Sequence, residues 1–165
     1  MTSIGWLVTA LIQKKILDRQ LKADLEKEIR QVTVPRRIKS LDEINEWFQE
    51  GTNLRSEMVL NLGKDTNGGI IVNLNDDILN RFEKWEIKCM NEIIFKSAQF
   101  DELGDVRDPE KALSMIVLAY SLKIEDFIKN EQDNWEQSLQ TILDLEARAT
   151  NIMDHLTKKI ASGAV

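Results

Sequence analysis

Between Asn75 and Phe100, apolar residues recur at steps of three and four for longer than anywhere else in the middle of the chain, and no fold can leave that stripe unpaired. Ile78, Leu79, Phe82, Trp85, Cys89, Met90, Ile93, Ile94 and Ala98 fall on one face of a helix. Asn75 suits the N-cap, because its side-chain oxygen can take a first-turn amide, and Asp76 and Asp77 then lie where the helix dipole favours negative charge. Such a helix is about 35 Å long, the width of a small domain, so the other elements are expected to pack beside it.

The 165 residues are read as a single domain, and a composition 42% hydrophobic and 30% charged with two prolines belongs to globular chains. One cysteine, Cys89, excludes an intramolecular disulfide framework and a thiolate cluster for zinc. It suits a reducing compartment, and the expected location is cytoplasmic. One histidine, His155, excludes multi-histidine metal sites. The net charge of −6 is divided unevenly, at +5 over residues 1–40 and −11 over the rest. An acidic body argues against general nucleic-acid binding, whereas the basic N-terminal arm suits an anionic or acidic surface.

Taken in order, the chain opens on a nine-residue apolar run, Ile4–Ile12, followed by Lys14 and Lys15. A bilayer crossing needs about 20 apolar residues, so neither a transmembrane span nor a cleaved signal peptide is expected. The run continues as an amphipathic helix through Ile16, Leu17, Leu21, Leu25 and Ile29, and Pro35 is expected to end it near Gln31. A capping box at Ser40-Leu-Asp-Glu43 predicts a short second helix, about Leu41 to Glu50, stopped by Gly51. Its Leu41, Ile44, Trp47 and Phe48 form another stripe.

Two β-rich runs, Glu57–Leu62 and Ile70–Leu74, flank a Gly/Asn/Asp cluster and predict a hairpin over 57–74. After the central helix, Asp108-Pro109-Glu110 signals a new start, with a buried helix through Ala112–Leu122 and a break over the polar residues 123–134. A last helix, Trp135 to Ala161, carries an apolar residue at heptad-like spacing. The expected architecture is mostly α, a bundle of about five helices with one inserted β-hairpin. It has an N-terminal apolar and basic helix over 1–31 and a helical core over 75–161.

Two constellations carry possible chemistry. Glu83-Lys-Trp-Glu86 followed by Glu102-Leu-Gly-Asp105 places carboxylates three apart, a spacing that can hold a hard cation. It resembles the all-α MazG-like nucleotide pyrophosphohydrolases, which would imply a Mg-dependent enzyme; the family's adjacent glutamate pair is missing, since residue 82 is Phe. Arg148 and His155 resemble the Arg-x(4–6)-His core of HEPN-type helical ribonucleases, which would imply phosphate stabilisation by Arg148 and acid–base work by His155. Gly63-Lys-Asp-Thr lies between two strands and lacks the preceding glycine of a phosphate loop. Chance spacing on solvated helix faces accounts for both carboxylate pairs in so acidic a chain, and no metal or other cofactor is expected.

The leading expectation is therefore a non-catalytic, oligomerising interaction or adaptor protein. Its surfaces are the N-terminal helix, at Trp6, Leu7, Val8, Leu11, Ile12 and Ile16, and the long C-terminal helix. The partner is another protein or a second copy. The alternatives are a hydrolase of either resembled class, or a peripheral protein that lays Trp6 and its neighbouring lysines on an anionic membrane.

Overall fold

The computed structural model describes residues 3–64, 70–101, 112–129 and 135–162, with the side chains of residues 3–12, 64, 70 and 71 outside that description. The chain is mostly α-helical, as its periodicity implies. Helix α1 (Ser3–Glu28) passes through a π-helical turn (Ile29–Thr33) into α2 (Val34–Leu60), so one helical rod replaces the two helices and the strand expected over this stretch. In the π turn the Val34 N–H donates to the Ile29 carbonyl, five residues back. Pro35 falls in the first turn of α2, where its fixed φ fits a helix and its lost N–H is tolerated next to a widened turn.

Ser40 caps nothing, because it lies inside α2. Gly51 does not stop that helix either. A Cβ at Gly51 would stand 2.8 Å from Tyr120 Cε1 and 2.9 Å from Trp85 Cζ2, so glycine here permits close packing of helices. Beyond it, Leu54 and Met58 continue the stripe of Leu41, Ile44, Trp47 and Phe48 into the core. Residues 57–60 are therefore helical, since the four-residue step from Leu54 to Met58 buries both side chains on one face.

Asn61 ends α2, its backbone N–H donating to the carbonyls of Glu57 and Met58. Strand β1 (Leu62–Lys64) then pairs antiparallel with β2 (Ile70–Val72), with Leu62 opposite Val72 and Lys64 opposite Ile70. Residues 65–69 between them lie outside the described part. Leu62, Val72 and Leu74 lean on the helical core, which offsets the marginal stability of a two-stranded ribbon.

Helix α3 (Asp76–Lys88) starts as its sequence indicates: Asn75 Oδ1 accepts the Ile78 N–H at 2.9 Å. A second π turn (Cys89–Ile93) leads into α4 (Ile94–Asp101). The buried residues of this rod are Ile78, Phe82, Trp85, Cys89, Ile93, Ser97 and Phe100, while Leu79, Met90 and Ala98 face solvent, unlike their expected place on the stripe. Helix α5 (Leu113–Lys129) does not break at residue 123, because Ile124 and Phe127 extend its buried face. The start signal at Asp108–Glu110 lies outside the described residues. Helix α6 spans Trp135–Ala161 as its spacing indicates, but its stripe of Ile142, Leu145, Ala149, Leu156 and Ile160 is buried inside the bundle and is not the second interaction surface expected of this helix.

Contacts of α2 with α3 and α4, of α4 with α5, of α5 with α6 and of α6 with α2 close the rods into a four-membered ring. Ion pairs fix the sense of neighbours: Arg81 reaches Glu57 and Lys96 reaches Glu43, so the α3–α4 rod runs antiparallel to α2. At the centre, the indoles of Trp47 and Trp85 stack at 4.4 Å and 5°. Each indole N–H donates to the other residue's carbonyl, at 3.1 and 2.9 Å, so two large rings are buried with their polar atoms paired. Tyr120 meets both rings edge-on.

Candidate interaction surface

The described side chains of helix α1, residues 13–28, stand clear of this ring. Every residue from Gln13 to Glu28 is exposed, including Ile16 at 50%, Leu17 at 65%, Leu21 at 70% and Leu25 at 56%. Within the π turn Val32 is 57% exposed, and in α2 Ile38 is 38% exposed. Leu17, Leu21, Leu25, Ile29 and Val32 advance by four and three residues and so make one stripe, with no covering element from the bundle over Gln13–Glu28. An exposed apolar stripe of this length makes α1 a candidate interaction surface.

Of the six residues expected to interact, Ile16 is 50% exposed, while Trp6, Leu7, Val8, Leu11 and Ile12 belong to the α1 backbone but their side chains lie outside the described residues. The exposed stripe extends further along the chain than those six positions, to Leu25 and Val32. Its signal was the repeat of leucines at four-residue steps. The charges along α1 are polarised in net: Lys14, Lys15, Arg19 and Lys22 with Asp18 precede Asp24, Glu26 and Glu28 with Lys27. Among the described residues no helix is long and apolar enough to cross a membrane.

Glu83 is exposed and Glu86 half-buried on α3, Glu102 and Asp105 lie outside the described residues, and among the described residues no group of His, Cys, Asp or Glu could hold a metal ion. Arg148 and His155 are both exposed on α6. Cys89 is buried, and loss of solvation pushes its thiol up to about 11, only partly opposed by a hydrogen bond with Ser121. That thiol is packed in the core, away from solvent.

One polar cluster was invisible in the sequence. Glu146 of α6 accepts from Thr52 Oγ1 at 3.0 Å, from Arg55 Nε at 3.0 Å and Nη2 at 3.2 Å, and from the Tyr120 hydroxyl at 2.8 Å. Burial, then the Glu146 carboxylate, pushes the Tyr120 hydroxyl far above its ordinary value. With donors from α2 and α5 converging on one carboxylate, the cluster ties α6 to both helices. A cleft of about 140 Å³ between α2 and α6, lined by Leu41, Asp42, Asn45, Thr150, Met153, Asp154 and Thr157, is smaller than small-molecule sites, which run from about 300 Å³.

No protein-family model matches this chain, and neither a curated protein nor a solved structure is significantly similar to it.

Proposed function

We propose that this protein is a non-catalytic, oligomerising interaction protein whose α1 arm is the assembly surface and whose helical ring is the body that carries it. The observation behind this reading is the exposure of Ile16, Leu17, Leu21 and Leu25 on the stretch of α1 from Gln13 to Glu28, which the bundle leaves uncovered. Burying apolar area releases about 25 cal/mol per Å², enough for several such side chains to offset the cost of association. One buried cysteine fits a reducing, cytoplasmic setting.

Light scattering on the purified chain is expected to give a mass above the 19.0 kDa of one copy, and a Leu21→Glu, Leu25→Glu variant is expected to return to it. A wild-type chain that is monomeric at tens of micromolar overturns the reading. If such a monomer co-sediments with phosphatidylserine vesicles, α1 is a membrane anchor with Lys14, Lys15 and Arg19 at the headgroups.

A further inference from the structure

We propose that the partner of α1 is the α1 helix of a second copy, lying antiparallel to it across a two-fold axis at Leu21. This rests on the proposed use of α1 as an assembly surface and adds the orientation and register of the pair. Lys14, Leu17, Leu21, Leu25 and Glu28 lie on one face at steps of three, four, four and three residues, a spacing symmetric about Leu21. All five are exposed.

An antiparallel two-fold at Leu21 maps Leu17 onto Leu25 of the second copy and Leu21 onto itself, so the three leucines meet only leucines. It also maps Lys14 onto Glu28, joining the single cation and single anion of that five-residue seam. On the flanks the same overlap brings Lys15 towards Glu26 and Asp18 towards Lys22. A parallel pair in register stacks Lys14 on Lys14 and Glu28 on Glu28, with like charges meeting along a partly desolvated seam. The polarity of the arm, basic first and acidic second, is thus complementary to its own reverse. A self-complementary patch of this kind closes as a dimer rather than growing into a filament. The overlap also lays residues 4–12 of each copy alongside residues 30–38 of the other, where Val32 and Ile38 are exposed.

Cysteine cross-linking on the full chain tests the orientation, since the native Cys89 is buried and does not compete. With a short bifunctional maleimide, Lys14→Cys alone and Glu28→Cys alone are expected to give no covalent dimer. In the antiparallel pair two copies of position 14 are 14 residues apart along the axis, about 21 Å. An equimolar mixture of the two variants is expected to cross-link. A second arm uses charge: Lys14→Glu is expected to weaken association about tenfold, and Lys14→Glu with Glu28→Lys to restore it. A covalent dimer from Lys14→Cys alone, or none from the mixture, overturns the antiparallel register while leaving assembly through α1 intact if the mass still depends on Leu21 and Leu25. A monomeric wild type removes both readings.

Discussion

Gly51 carries more of the packing than its size suggests. With no Cβ, it lets α2 approach the ring of Tyr120 and the indole of Trp85 to a distance that an alanine methyl would violate, at 2.8 and 2.9 Å. Alanine would add helix propensity of up to about 1 kcal/mol, but the rings around it are themselves locked, Trp85 by its stack and its N–H bond to Trp47 and Tyr120 by Glu146. Overpacking should win, and Gly51→Ala is expected to lower stability by about 2 kcal/mol in a guanidinium titration. A stabilised variant would show that the rings can shift. In the sequence this glycine reads as a helix stop, because its local preference is visible and its neighbour Tyr120, 69 positions along, is not. Asn75 is the opposite case: its cap depends on a partner three residues away, so pattern and structure agree.

At the scale of elements, α1 and α2 are one rod with two fates. In α2 the stripe from Leu41 to Met58 is buried, and in α1 the stripe from Leu17 to Leu25 is exposed, although both have helical periodicity and similar residues. The difference comes from what lies beside them. Since the described side chains of α1 add nothing to the core, removal of residues 1–28 is expected to leave the helical ring folded. Circular dichroism should show the remaining helices melting cooperatively within a few degrees of the full chain. Collapse of the ring on truncation would mean that α1 folds back on it. The rods themselves were legible wherever the stripe was long and the termini carried local signals, as in α6 and the start of α3. Boundaries inferred from Pro35, Ser40 and Gly51 failed, because a π turn, a helix interior and a close helix contact each accommodated the residue that usually ends a helix.

For the whole molecule, the cluster at Glu146 ties together three of the four rods. The Glu146 and Arg55 side chains are only 17% and 14% exposed, so removing the carboxylate strands a guanidinium and a phenol away from water. Glu146→Ala is expected to cost about 3 kcal/mol in chemical denaturation, and Glu146→Gln less, as its amide oxygen can still accept from Tyr120 or Thr52. Equal, small losses for both would assign the cohesion of the ring to its apolar core alone. Helical content, the cap at Asn75, the extent of α6 and the amphipathic arm all follow from residues within a few turns of one another, and local sequence therefore specifies them. The pairing of Trp47 with Trp85, the convergence of Thr52, Arg55 and Tyr120 on Glu146, the role of Gly51 and the bareness of α1 join positions that are tens of residues apart or depend on which faces the ring leaves uncovered. Those arise only when the rods pack, because a contact between distant residues is a property of the closed ring and leaves no periodic trace along the chain.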